Sequence, residues 1–143
     1  MLLGEYEHTL DDKNRLTLPA KFRRAFEHGC VVSRGLDGCV SAWTLDGWEN
    51  HKETTVSTLN LLSREGRQMH RYFLSGATDA TPDKQGRVTI PPVLLAHAKL
   101  GRDVVIHGAN DHLEIWDRDA WRRELSDVEG SAEDVAERLA QRS

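Results

Sequence analysis

Residues 10–23 read LDDKNRLTLPAKFR, and residues 82–95 read PDKQGRVTIPPVLL. Each stretch runs from an Asp through a charged turn to an Arg four residues on. An alternating Leu-Thr-Leu or Val-Thr-Ile segment follows and ends at a Pro. The alternation suits a short strand with one face on a core. Pro19 and Pro91 suit the first turn of a helix, where a missing N–H leaves no bond unmade.

The likeness extends outward in both directions. At an offset of 72, Gly4 meets Gly76, Thr9 meets Thr81, Thr17 meets Thr89 and Gly29 meets Gly101. One inserted residue near Arg102 shifts the offset to 73, which pairs Val32 with Val105, Gly35 with Gly108, Trp43 with Trp116 and Trp48 with Trp121. Such order among Trp, Gly, Pro and Arg marks an internal duplication. Helices AKFRRAFEHG and PVLLAHAKLG should each close on a left-handed Gly, Gly29 and Gly101. The strand pairs CVVSRG/GCVSAW and DVVIHG/DHLEIW follow, and then LDGW and RDAW, where Asp46 and Asp119 suit helix caps and the Trp burial. The class is α+β and β-rich. The chain divides into a first repeat (1–48), a connecting helical segment (49–74) that Gly66 should break, a second repeat (75–124) and an acidic tail or helix (125–143).

Composition narrows the function. The chain has 143 residues, 38% of them hydrophobic, and four Trp to anchor packing, which is a globular profile. It has no apolar run of membrane-spanning length and no signal-peptide pattern at MLLGEYEH, so a soluble cytoplasmic protein is expected. Cys30 and Cys39 match neither a redox pair nor a zinc pattern, and the seven His form no ligand pair. No metal or other cofactor is expected. Catalytic motifs are missing too, with no Ser-His-Asp order, no GxGxxG and no phosphate loop, so neither an enzyme nor a small-molecule substrate is indicated. The net charge is −4, but ten acids against five Arg from Asp111 onward account for −5, which leaves the first 110 residues at +1. Local potential steers a ligand more than the sum does, so DNA remains open.

The turns themselves allow two readings. Gly86 accepts a positive φ freely, and Asn14 is the next most tolerant residue. Asp11 and Asp83 would then hold Arg15 and Arg87 by paired hydrogen bonds. A guanidinium so held suits bidentate reading of guanine in the major groove. Lys13, Lys84 and Gln85 would sit at the tips, and Lys21, Arg23 and Arg24 would add backbone contacts. Equally, each pair is a structural salt bridge that pins a hairpin.

Taken together, GEYEHTLDDKNRLTLPAKFR, DKQGRVTIPP and VIHGANDHLEIW resemble the MraZ family of AbrB-like, swapped-hairpin bacterial DNA-binding proteins. The resemblance covers residues 1 to about 124. It implies an internally duplicated AbrB-like β-barrel with flanking helices, assembled as a homo-oligomeric ring. It also implies a nucleoid-associated transcriptional regulator, usually a repressor, that binds short direct repeats in double-stranded promoter DNA upstream of the division and cell-wall gene cluster. Asp11 with Arg15 and Asp83 with Arg87 would be the DNA-facing motifs. Asn14 stands where the family commonly has Gly, and its tolerance of the left-handed region should preserve the turn. The alternative is an AbrB-like antitoxin or an assembly scaffold whose C-terminal tail binds a protein partner.

Overall fold

The computed structural model describes residues 1–142. Elements in chain order are β1 (Glu5–Thr9), β2 (Arg15–Thr17), α1 (Arg23–Phe26, entered through a 3-10 turn), β3 (Cys30–Arg34), β4 (Val40–Thr44), α2 (Leu45–His51) and α3 (Arg64–Ser75). The second half adds β5 (Thr78–Ala80), β6 (Arg87–Thr89), α4 (Pro92–His97), β7 (Asp103–Gly108), β8 (His112–Asp117), α5 (Arg118–Glu129) and α6 (Ala132–Arg142). The class is α+β, although helix exceeds strand, 42% to 27%.

Six strands form one antiparallel sheet in the order β1-β7-β8-β4-β3-β5, and β2 and β6 form a separate two-stranded ribbon. The halves exchange strands. The first half's β1 pairs with β7 (Tyr6 opposite Ile106), while the second half's β5 pairs with β3 (Asp79 opposite Val31). Matching residues face each other at two places, Leu16 opposite Val88 in the ribbon and Ser41 opposite Glu114 in the sheet. These pairs lie on a pseudo-twofold axis.

One core serves both halves. Val32, Ala42, Ile106, Leu113 and Ile115 from the inner sheet face meet Leu16 and Val88 of the ribbon. Phe22 and Phe26, one helical turn apart, and Leu94 of α4 complete it, each at most 1% exposed. The outer sheet face carries α2 and α3 on one side and α5 on the other. Half-buried Trp48 and Trp121 pack there on Trp43 and Trp116, with ring centres 6.4 and 5.6 Å apart.

The structure corrects several expectations. The barrel is not closed. Leu10 donates its N–H to Arg102 O and bridges Leu16, tying β1 to β2. The matching residue, Pro82, has no N–H to give, and β5 stops at Ala80 with three residues where β1 has five. The connecting helix does not break at Gly66. It ends after a π-helical turn (Lys52–Val56), and α3 restarts with Ser63 capping the N–H of Gly66. Gly66 lies inside α3, where a Cβ would collide with the Asn60 carbonyl. The caps of α2 and α5 are Thr44 and Asp117, because the helices begin two residues before the positions read from Asp46 and Asp119, which sit in the first turns. Gly29 takes φ 127 as expected, but in the second half the left-handed residue is Lys99 (φ 49) rather than Gly101. Helix continues through most of the tail, as α5 and α6, and Ser143 lies outside the described residues.

Candidate nucleic-acid interface

Both turns have one architecture. In the first, Asp11 Oδ1 accepts the backbone N–H groups of Lys13 and Arg15 at 2.9 and 2.8 Å, while Oδ2 accepts Arg15 Nε at 2.7 Å. In the second, Asp83 Oδ1 takes the N–H groups of Gln85 and Arg87, each at 2.9 Å, and Oδ2 takes Arg87 Nε at 2.7 Å. Asn14 (φ 58) and Gly86 (φ 75) hold the left-handed corner in each. The backbone N–H of each Arg, then its side chain, hold the Asp11 and Asp83 carboxyls below their ordinary range.

Each guanidinium is therefore held through a single side-chain bond, not two as the spacing suggested, because one carboxylate oxygen is spent on the backbone. No hydrogen bond within the described residues occupies the Nη groups of Arg15 or Arg87, whose side chains are 28% and 29% exposed. A staple and an outward-facing fork coexist in the same pair.

The ribbon brings the two Arg together. Arg15 lies opposite Thr89 and Thr17 opposite Arg87, with Leu16 and Val88 between them in the core. By alternation, Arg15, Thr17, Arg87 and Thr89 share the solvent face. The diagonal neighbours Arg15 and Arg87 are about 7–8 Å apart in ordinary sheet geometry. The turns are stitched crosswise, since Leu18 N–H donates to Gly86 O and Ile90 N–H to Asn14 O, both at 2.9 Å. Thr17 and Thr89 were not among the residues singled out from sequence, though their place two residues from each Arg on a strand is the signal that finds them.

Of the other candidates, Lys13, Lys84 and Gln85 stand exposed on the turns. Arg24 and Lys84 share a cleft of about 470 Å³ with Arg23, Asp83 and Glu27. Lys21 points elsewhere, its Nζ 5.4 Å from the ring centres of Tyr6 and Phe22. Arg23 leans on the second turn, with Nε donating to Leu18 O at 3.1 Å.

The outer sheet face carries a different cluster. Trp43 is stacked between His51 and His112 at 4.3 and 4.0 Å. Glu114 bonds His107 Nε2 at 2.6 Å and accepts the Trp116 indole N–H at 3.2 Å. Burial disfavours a charge on His107, but the Glu114 carboxylate outweighs it and raises the His107 pKa. Both Cys are buried and free, and burial pushes the Cys30 thiol up to about 11. Among the described residues, no group of three or more His, Cys, Asp or Glu is placed to hold a metal, and no helix is long and apolar enough to cross a membrane.

Comparison with known proteins bears on the whole chain. The family model described as "MraZ protein, putative antitoxin-like" matches residues 1–71 and again residues 73–143. A relative named Transcriptional regulator MraZ from Roseiflexus sp. (strain RS-1) is 45% identical over 141 residues, covering 99% of this chain and 98% of its own. The Caldanaerobacter subterraneus subsp. tengcongensis and Ligilactobacillus salivarius proteins of that name are each 41% identical over 139 residues, 97% of this chain and 96% of theirs.

Proposed function

The chain belongs to the MraZ family, and from that premise we propose that it is a transcriptional regulator that grips duplex DNA with the β2–β6 ribbon and its two turns. It is not an enzyme. The observation that carries the reading is the pair of guanidinium groups on one exposed ribbon face, each fixed through Nε with its Nη edge open. A two-stranded ribbon is of a width that the major groove admits, and an Nη edge matches guanine O6 and N7. Lys13, Lys84 and Arg24 would contact phosphates, and Thr17 and Thr89 would lie between the two reading residues.

The charge distribution supports the same face. The ribbon lies on the inner side of the sheet, whereas α5, which leads into the acidic tail, packs on the outer side through Trp121 against His107 and Trp116. The finer proposals follow the resemblance: short direct repeats in the promoter of the division and cell-wall gene cluster, repression, and a ring of copies whose linked turns raise effective concentration. Residues 1–48 and 75–124 would be the two copies of the repeated unit, and a DNA partner places the protein in the cytoplasm at the nucleoid. A second reading, an antitoxin-like hold on a protein partner, is favoured by α6, which buries no residue and leaves Leu139 60% exposed.

The test uses the duplex that the wild-type chain selects from a random-sequence pool. Arg15→Ala/Arg87→Ala should lose roughly a hundredfold or more in affinity, since each bidentate contact is worth roughly 1–3 kcal/mol, while the variant still folds and melts cooperatively. Unaltered binding by this folded double variant removes the turns from the site.

A further inference from the structure

The two turns are built alike but not buttressed alike. We propose that Arg23 is a positioning residue that locks the second turn and makes it the stiffer DNA reader, an inference that rests on reading the turns as DNA contacts.

Gly86 is buried at the tip of its turn, and the Arg23 side chain crosses it closely. A Cβ on Gly86 would stand 2.6 Å from Arg23 Nε and 2.8 Å from its Cδ. The same Nε donates to Leu18 O at 3.1 Å, and Leu18 N–H donates to Gly86 O at 2.9 Å. Arg23 thus closes a clip: its stem presses on the turn, its head holds Leu18, and Leu18 holds the turn. Position 86 admits only Gly while the clip is closed.

The first turn has no such clip. The residue matching Arg23 at an offset of 72 is Leu95, which has no side-chain donor. Exposed Asn14 is tied by backbone bonds only, its N–H to Asp11 O and its carbonyl to Ile90 N–H, with no side chain laid across it among the described residues. Ala96 matches Arg24, so the basic flank beside the second turn has no counterpart beside the first. In the flanking cleft, Glu27 pairs with His28 and Asp83 with Arg87, while Arg24 and Lys84 have no ion pair among the described residues. Arg24 and Lys84 are left to meet phosphate, and Arg23, through Gly86, sets where the neighbouring Arg87 points. Position 23 holds Arg where Gly is at 86, and position 95 holds Leu where Asn is at 14.

The experiment measures affinity for the pool-selected duplex as a function of salt. Each phosphate contact adds about one unit to the slope of log K against log salt. Arg23→Leu should weaken binding about tenfold, the scale of one lost charged hydrogen bond, with the slope unchanged. Arg23→Lys, which keeps the charge and folds as an exposed substitution, should fail to rescue. Arg24→Ala should lower the slope by about one. Gly86→Asn should weaken binding because its Cβ displaces Arg23. Combining it with Arg23→Leu should cost no more than the worse single variant, because that pair reproduces the first turn. A slope lowered by Arg23→Leu, rescue by Lys, or full additivity of the two variants would each overturn the clip. Wild-type binding by Arg15→Ala/Arg87→Ala would instead sink the reading of the two turns as DNA contacts, whatever Arg23 does.

Discussion

At the scale of single residues, each Asp acts on the backbone first and on its Arg second. The lowered pKa of Asp11 and Asp83 fixes the pH dependence. A carboxyl depressed on folding stabilises above its unfolded pKa and loses that effect as pH falls through the folded value. Turn order, followed by the amide shifts of Lys13 and Gln85, should therefore hold from neutral pH down to about 5 and collapse only below the ordinary carboxylate range. His107 behaves oppositely. Its raised pKa gives a contribution present below the unfolded value of about 6.5 and lost as pH rises through the folded one. An NMR titration should place its midpoint above that value, and Glu114→Gln should bring it down. The left-handed corner at Asn14 was legible in the sequence, because few residue types tolerate it. The single Nε bond was not, since spacing brings an Asp and an Arg together without saying which oxygen the backbone claims.

At the scale of elements, the strands were readable from alternation and the helix starts only to within a turn. Thr44 and Asp117 are the residues whose oxygens meet the N–H groups of Gly47 and Ala120. Thr44→Ala and Asp117→Ala should each cost about 1 kcal/mol of stability in denaturant unfolding. Asp46→Ala and Asp119→Ala should cost less, because first-turn carboxylates act through the helix dipole and, at Asp119, one exposed ion pair with Arg122. Pro82 was in plain view, yet its effect on barrel closure depends on which strand lies alongside. That neighbour comes from the other half, where no local pattern points.

At the scale of the molecule, self-comparison finds two copies but cannot say that they trade strands. The pairing of β1 with β7 and β5 with β3 means that neither copy holds its own sheet. A fragment of residues 1–74 should lack dispersed amide signals alone and regain them when mixed with residues 75–142; independent folding of either fragment would contradict the exchange. The same interlock sets Arg15 and Arg87 on one ribbon, so the DNA-facing surface exists only in the joined molecule. The most direct measurement is an amide chemical-shift titration of the full chain with the pool-selected duplex. Perturbations should concentrate at residues 11–17 and 83–89 and spare α2, α3 and α5. Shifts confined to the outer helices, with the ribbon silent, would contradict the assignment.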